Sequence, residues 1–455
     1  MQTKRILSAA LACLMAATVA TGCSKNKPSS SSSSSSASGS SESSSSSQVP
    51  KATISIWQTP ADVTATETDL QNQFKAKYPS ITLNIIQTPQ NADILSAMAA
   101  GTAPSLLANG YPGFNSCIYQ GVYMPLDDYL NNWPDTANYD KTQLDTFMVN
   151  GKHYGIPGDK YALCIQYHKS LFKAAGITEA PKTWDEFLAD CKKLTVPSKH
   201  QYGFALDGTQ WAGWHFEIWV WAAGGDVSKK NADGTLALTF TDPAAIKAAE
   251  FYRTLEKANV IQTDRTLQID GLNNDFGLNK AAMIVGTLGD GTGVTKQGGD
   301  PSDVGFFTFP GMDASHPGYN IDGGDGMGIV YTKDKNVEDA AWTYLSFMNS
   351  KAAWVETYKE KASKGTWVPI IPPRTDIDMS QFGSVPADTQ QAVDEGSKVT
   401  KHEFYGKGAV GSFLDDAVAK IFGNTSSDIT ATLTDAQTKA ASAVSQFNAA
   451  LTKKS

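Results

Sequence analysis

The stretch ETDLQNQFKAKYPSITLNII, residues 67–86, decides the fold class when it is considered together with ATISIW at residues 52–57. Leu70, Phe74 and Tyr78 recur at the spacing of one helix face, and a proline ends that helix. ATISIW alternates β-branched and polar residues, and SITLNII is also rich in Ile, so a strand is predicted on either side. This β-α-β opening predicts a parallel sheet and an α/β fold.

Local signals for helix starts and turns continue along the chain. In KTWDEF, Thr183 and Glu186 have the spacing of a capping box. In FTDPAA, Asp242 and Pro243 suit the cap and first residue of another helix. Asp233-Gly234 predicts a hairpin turn. About 405 residues follow the serine-rich stretch, a length that suggests two or more domains.

The N-terminus predicts export and a lipid anchor. Lys4 and Arg5 precede an apolar run and small residues that end at Cys23, a pattern typical of a signal peptide over residues 1–22. The pattern resembles a bacterial lipoprotein signal in which Cys23 carries the lipid; simple secretion is the alternative. Residues 23–50 are nearly all serine and predict a disordered tether.

Charge and cysteine content exclude several classes of protein. The chain has a formal charge of −8, and without Lys4 and Arg5 it keeps 36 basic and 46 acidic residues. No basic stripe occurs, which argues against nucleic-acid binding. Cys117, Cys164 and Cys191 remain after the N-terminal segment and form no CxxC pair. They are expected to be buried thiols, with or without one disulfide.

The sequence offers no recognisable catalytic or metal-binding motif. The six histidines form neither HxxxH nor HExxH, and no GxSxG occurs. GTLGDGTG, residues 286–293, fits neither a dinucleotide fingerprint nor a P-loop. We therefore predict no enzyme activity, no cofactor and no metal. A carboxylate pair for glycoside hydrolysis stays open as an alternative because Asp and Glu are plentiful.

Several blocks, taken in order, resemble one family. These blocks are FKAKYPSITLNII, AAGTAPSLL, GVYMPLDDYL, NGKHYGIPGD, IQYHKSLFKAAGI, PKTWDEF, KAAMIVG, VGFFTFPG and AAWTYLSFM. They are similar to the extracellular solute-binding proteins of ABC importers, the group that includes maltose-binding protein. Ser105 stands where the family usually has Asp. The resemblance covers nearly all of residues 51–445.

The resemblance implies two α/β lobes with a ligand cleft between them. It places chain crossings near Pro157–Tyr161 and at Ile321–Gly328, where glycines would absorb a hinge motion. The expected lobes are residues 51–158 with 326–372, and residues 159–325 with 373–455. In such sheets, ligands lie beyond the carboxyl ends of the strands.

The segment QWAGWHFEIWVWAAGG, residues 210–225, holds four of the tryptophans within eleven positions. A helix that is apolar on so many sides is usually buried, so Trp219 and Trp221 are predicted to be core. Trp211 and Trp214 lie at the helix start, where the family places ligand-facing aromatic residues. We therefore expect these two to contact the ligand.

Aromatic faces beside polar groups suit a sugar, whose C–H faces stack and whose hydroxyls form hydrogen bonds. A position on an ordinary surface loop is the alternative for each further candidate contact. These candidates are Asp62, Asn109, Tyr111, Asp159, Lys160, Tyr161, His215, Asp325, Phe404 and Tyr405.

The functional prediction is a lipid-anchored, monomeric binding subunit on the extracellular face of the cell membrane. It would capture an oligosaccharide and deliver it to the transmembrane subunits of an ABC permease. Two alternatives stay open: a secreted glycoside hydrolase, and the same binding fold with a non-sugar solute.

Overall fold

The computed structural model describes residues 51–58, 63–88, 93–209, 211–366 and 368–452. The predicted signal peptide of residues 1–22, the lipidation site Cys23 and the tether of residues 23–50 lie outside the described residues. Within the described ranges, no helix has the length and apolar character needed to cross a membrane.

Strands in the described residues form one mixed sheet and two small hairpins. The sheet has the order β10-β6-β11-β3-β1-β2, with β9 paired to β6 and β12 to β11, and the hairpins are β4-β5 and β7-β8. The strands are β1 Ala52–Gln58, β2 Ile81–Gln87, β3 Leu106–Gly110, β4 Met148–Val149, β5 Lys152–His153, β6 Ile156–His168, β7 Ser228–Lys230, β8 Leu236–Leu238, β9 Met283–Thr287, β10 Val304–Phe307, β11 Asn320–Ile329 and β12 Thr400–Lys401.

Helices cover the sheet and build most of the C-terminal part of the chain. They are α1 Ala65–Lys77, α2 Ile94–Ala100, α3 Tyr111–Gln120, α4 Asp127–Leu130, α5 Lys141–Asp145, α6 Lys169–Ala174, α7 Trp184–Leu194, α8 Ala212–Ala222, α9 Pro243–Lys257, α10 Ile269–Gly277, α11 Thr292–Thr295, α12 Lys335–Met348, α13 Lys351–Ser363, α14 Ala387–Lys398, α15 Lys407–Gly423, α16 Ile429–Lys439 and α17 Ala441–Thr452.

The local signals in the sequence correspond to observed structure. β1 and β2 pair in parallel on either side of α1, which confirms the β-α-β opening. Thr183 and Glu186 form the predicted capping box of α7. Asp242 is the N-cap of α9, although its side chain makes no capping hydrogen bond. Gly234 has φ of +83°, as the turn between β7 and β8 requires.

Separate hydrophobic cores show that the chain has two lobes. One core packs α7, α8, α9 and α15 around Leu163 of β6 and Ile321 of β11. Another packs β1, β2, α1 and α12 around Ile156 of β6 and Ile329 of β11. The long strands β6 and β11 therefore contribute to both lobes, and they join the two.

The glycines of β11 serve close packing at the junction of the lobes. Gly323 to Gly328 include no residue with positive φ. A Cβ on Gly324 would lie 2.4 Å from the hydroxyl of Tyr111, and one on Gly323 would lie 2.6 Å from the ring of Tyr161. The pairing of β11 with β6 also shifts register between Gly324 and Gly326. These glycines thus have a steric role, where the sequence suggested backbone freedom.

The segment after α13 stays packed on the lobe that contains β1. Arg374 is buried and forms an ion pair of 2.8 Å with Asp135, which precedes α5. The ring of Phe382 lies 5.6 Å from that of Tyr358 in α13. The chain then enters α14, which contacts β10 of the other lobe.

Cysteine chemistry does not contribute a crosslink in the described residues. Cys117, Cys164 and Cys191 are all buried and free. Burial raises the pKa of the Cys117 thiol to about 11 and raises those of Cys164 and Cys191 well above the usual value of a thiol. The sequence left open whether two of these thiols form a disulfide; in the structure all three are buried and free.

Candidate ligand-binding site

The start of α8 presents Trp211 to solvent. The loop before it is held by the buried carboxylate of Asp207, which accepts hydrogen bonds from the backbone N–H groups of Thr209 (2.9 Å) and Trp211 (3.4 Å). Trp211 precedes the helix, and 38% of its surface is exposed. This exposure leaves the indole of Trp211 available for a ligand.

Close packing of α8 on α15 positions Trp214. The N–H of Gly213 donates a hydrogen bond of 2.8 Å to Asp415 of α15, and a Cβ on Gly213 would lie 2.8 Å from the Asp415 backbone nitrogen. Only glycine therefore fits this helix contact. Burial raises the pKa of Asp415 to about 6. Trp214 is 7% exposed and belongs partly to the core of its lobe.

Trp214 is surrounded by aromatic and charged groups. Trp211 and Tyr161 approach edge-on, with ring centroids at 6.2 and 6.5 Å. The Lys407 ammonium lies 4.2 Å from the ring centroid and forms an ion pair with Glu403. The indole is thus the centre of a small cluster that joins α8, β6 and the start of α15.

A cluster of polar side chains lies on and beside the two strands that join the lobes. Asp322 of β11 lies 3.1 Å from the Lys160 ammonium and 2.8 Å from Nδ1 of His402. The imidazole in turn packs against the ring of Tyr111, the first residue of α3 in the other lobe. Residues from both lobes therefore meet at Asp322.

Carboxylates make the electrostatic environment of the two tyrosines negative. Burial raises the pKa of Tyr161 to about 12, and the charges of Glu403, Asp325 and Asp322 act in the same direction. The pKa of Tyr111 is raised by burial and by the same three carboxylates. Both phenols stay neutral near pH 7 and can donate hydrogen bonds.

A cavity of about 640 Å³ opens beside these groups, between the lobes. One wall comes from α3, α5 and β4, and the other from the chain around β12 and the start of α15. Lys160, Asp322, His402, Glu403 and Lys407 line it. A larger cavity, of about 790 Å³, lies around residues 179–186 and 306–318 and contains none of the predicted contact residues. We therefore place the candidate site at the smaller cavity.

Several buried polar atoms near the site have no hydrogen-bond partner. Among them are the hydroxyl of Tyr111, Nε1 of Trp214 and both ring nitrogens of His215. Burial, with a contribution from Lys407, lowers the pKa of His215 to about 3, so this imidazole is neutral at pH 7. An unsatisfied buried polar group typically costs about 1–3 kcal/mol, which a ligand hydroxyl could relieve.

The predicted contact residues divide between several places. Lys160 lines the 640 Å³ cavity. Tyr111, Tyr161, Trp211, Trp214 and His215 belong to the clusters beside that cavity but do not line it. Asp159 and Asp325 line a separate cavity of about 290 Å³. There Asp159 accepts hydrogen bonds from Tyr358 (3.0 Å) and Lys361 of α13.

The remaining predicted residues have other surroundings. The side-chain amide of Asn109 lies 3.7 Å from the sulfur of Cys117. Phe404 is buried in the core of its lobe, and Tyr405 donates a hydrogen bond of 2.8 Å to the carbonyl of Gly234. Both still line the 640 Å³ cavity. Asp62 lies outside the described residues.

Sequence reasoning missed four residues of the site: Asp322, His402, Glu403 and Lys407. Glu403 and Lys407 have the i,i+4 spacing of a helical ion pair, which could have drawn attention to them. Asp322 belongs to the glycine-rich segment that predicted a crossing, but its role depends on strand register. Nothing local to His402 indicates its partner on β11.

The site offers aromatic faces, hydroxyl and imidazole groups, carboxylates and ammonium groups at short range. Among the described residues, no group of three or more potential metal ligands is present. Stacking faces with convergent hydrogen-bonding groups suit reversible binding of a small polar molecule that also has apolar faces.

The chain is similar to known proteins in sequence and in fold. The model of the family described as bacterial extracellular solute-binding protein matches residues 58–353. The diacetylchitobiose binding protein DasA of Streptomyces coelicolor is 25% identical over 258 residues, 56% of each chain. The Listeria monocytogenes substrate-binding protein Lmo0181, solved with cycloalternan, superposes with a TM-score of 0.69 at 20% identity, over 86% of this chain and 98% of that one.

A further solved structure, UgpB of Mycobacterium tuberculosis in complex with glycerophosphocholine, also has a TM-score of 0.69. It is 20% identical over 86% of this chain and 98% of its own. These likenesses agree with the two-lobed α/β architecture.

Proposed function

Because this chain belongs to the family of bacterial extracellular solute-binding proteins, we propose that it captures a carbohydrate between its lobes and delivers it to an ABC permease. The observation that carries the proposal is that the exposed indole of Trp211, at the start of α8, lies close to polar atoms around Trp214 that have no hydrogen-bond partner. The ligand is expected to be an oligosaccharide.

The chemistry of a sugar matches the groups that the site offers. The C–H face of a pyranose stacks on an indole, and its hydroxyls both donate and accept hydrogen bonds. A neutral His215 can donate through one nitrogen and accept through the other, while Tyr111 and Trp214 can donate. Relatives that bind diacetylchitobiose and cycloalternan support this choice of ligand class.

Closure of the lobes is the second part of the proposal. A Cβ on Gly408 of α15 would lie 2.4 Å from the carbonyl oxygen of Pro112 in α3, so the two lobes touch beside the cavity. A ligand held by both lobes favours this closed arrangement, because only differential affinity shifts such an equilibrium. We place the passages between lobes within β6, within β11 and after Phe382. The last of these lies beyond the boundary at residue 372 expected from the sequence.

The anchor completes the proposal. Lipid on Cys23 and the tether that follows would hold the binding unit at the extracellular face of the cell membrane. A monomer is sufficient, because the candidate site is built from one chain.

A second candidate function is binding of a non-sugar solute by the same fold. The structure of UgpB in complex with glycerophosphocholine supports this candidate. A thermal-shift screen separates the two candidates. The full mature chain would be heated with maltotriose, diacetylchitobiose, cellotriose, raffinose and glycerophosphocholine, each well above its expected dissociation constant. Bound ligand raises the melting temperature. A rise with a sugar alone supports the proposal; a rise with glycerophosphocholine alone, or hydrolysis of the stabilising sugar, would contradict it.

A further inference from the structure

Lys407 lies where a ligand would stack. Its ammonium is 4.2 Å from the centroid of the Trp214 ring, a distance typical of a cation–π contact. The same ammonium pairs with Glu403, whose side chain is only 5% exposed. Lys407 thus covers one face of Trp214, the indole whose Nε1 the proposed function assigns to the sugar.

The position is electrostatically unfavourable for a lysine. Lys407 is the first residue of α15, a helix of 17 residues, and helix N-termini carry a partial positive charge. The N-cap Gly406 has no side chain to accept a hydrogen bond there. Glu403 and the Trp214 ring compensate for this repulsion, and the helix itself works against the ammonium.

Of the neighbours of Trp214 described above, Lys407 has the side chain that is displaced from the ring most easily. Trp211 and Tyr161 meet the indole edge-on and belong to a helix start and a strand. The Lys407 side chain is unbranched and flexible, keeps 17% exposure and lines the cavity. Its displacement into the cavity would uncover the ring face without a change in backbone structure.

We propose that Lys407 is an internal competitor that the ligand must displace from Trp214, an inference that rests on the proposed carbohydrate-binding function. When Lys407 leaves, the buried side chain of Glu403 loses its cation, and a ligand hydroxyl replaces that cation as its hydrogen-bond donor. Lys407 and Glu403 together therefore select sugars that carry a hydroxyl donor close to Trp214.

The test compares one variant that removes the competing cation with one that keeps it and stacks more strongly. Lys407→Met alone would leave Glu403 buried without its partner, so Glu403→Gln is combined with it. The double variant removes the ion pair and the cation, and it should bind the sugar about tenfold more tightly than the wild type. Lys407→Arg keeps the charge and stacks better on indole, so it should bind more weakly.

Lys401→Met is the matched control. The Lys401 ammonium lies 3.5 Å from the ring centroid of Tyr319 in a similar contact, and Lys401 does not line the cavity. Its removal should leave affinity unchanged. Melting curves verify that each variant is folded.

Calorimetric titration with maltotriose, diacetylchitobiose, cellotriose and raffinose gives the affinities. Tighter binding by the double variant together with weaker binding by Lys407→Arg supports the inference. Equal or weaker binding by the double variant would overturn it and leave the carbohydrate proposal standing. If none of the four sugars binds even the wild type, the proposed function fails and the inference fails with it.

Discussion

Nδ1 of His402 lies 2.8 Å from Oδ1 of Asp322, and this contact ties the segment after β12 to the strand that joins the two lobes. Burial alone would lower the pKa of this imidazole. The hydrogen bond that the imidazole donates to Asp322 and the negative charges of Asp322 and Glu403 outweigh burial and the positive charge of Lys160, so the pKa of His402 is raised. Tyr111 packs on the other side of the ring and stays neutral.

This contact predicts pH-dependent stability. Since the pKa of His402 is higher in the folded protein, its contribution is fully present below the unfolded value of about 6.5 and is lost as pH rises through the folded value. His402→Gln should therefore lower the free energy of unfolding more at pH 5.5 than at pH 8.5. Denaturant unfolding at several pH values measures this difference.

His200→Asn serves as the control for that experiment. His200 is exposed and has φ of +52°, a conformation that Asn tolerates. The difference between the two variants isolates the part of the loss that belongs to the contact with Asp322. An equal loss for His402→Gln at both pH values would contradict the role assigned to the Asp322 contact.

The glycines of β11 predict a steric penalty. Gly324→Ala would place a Cβ 2.4 Å from the hydroxyl of the buried Tyr111, so the free energy of unfolding should fall by about 1–3 kcal/mol. Gly293→Ala is the matched control, because nothing lies within 4 Å of its Cβ position in α11. Thermal or urea unfolding compares them. If Gly324→Ala is as stable as the control, the close-packing explanation is wrong.

Trp211, just before α8, and Trp219, within it, should differ in their contribution to folding. Trp219 is fully buried against Phe187, Phe251 and Phe309, so Trp219→Ala should cost about 3–5 kcal/mol. Trp211→Ala, at an exposed position, should change stability by less than about 0.5 kcal/mol. Melting curves measure both effects. If the whole cluster were core, both variants would lose several kcal/mol of unfolding free energy.

The anchor prediction concerns the N-terminal segment. Cys23→Ala removes the proposed lipid site and should release the protein from the membrane fraction into the medium. Cys13→Ala, within the signal stretch, should leave the distribution unchanged. Fractionation with immunoblotting reads the outcome; a Cys23→Ala protein that remains membrane-bound at normal abundance would show that lipid on Cys23 is not the anchor.

Much of the fold could be predicted from the sequence because its signals are local. The spacing of Leu70 and Phe74, the cap at Thr183 and the all-round apolar character of α8 each act within a few residues. They determine helices, turns and buried faces before any long-range contact is considered. The core positions of Trp219 and Trp221 follow from the same kind of signal.

The site could be predicted only in part because it depends on long-range register. Asp325 is a predicted ligand contact and lines the same cavity as Asp159, while the register of β11 brings Asp322, which was not predicted, to Lys160 and His402. The contact of Lys407 with Trp214 requires α15 to pack on α8, which no local pattern encodes. Trp214 is consequently less exposed than a ligand contact suggests.

Calorimetric titration of Trp211→Ala with the sugar that stabilises the wild type tests the central claim, that a carbohydrate stacks at the start of α8. Loss of the exposed indole should weaken binding by about 2 kcal/mol, roughly thirtyfold in dissociation constant, as for an aromatic anchor. The melting temperature without sugar should stay close to that of the wild type. An unchanged dissociation constant in a folded Trp211→Ala protein would contradict the claim and place the sugar elsewhere.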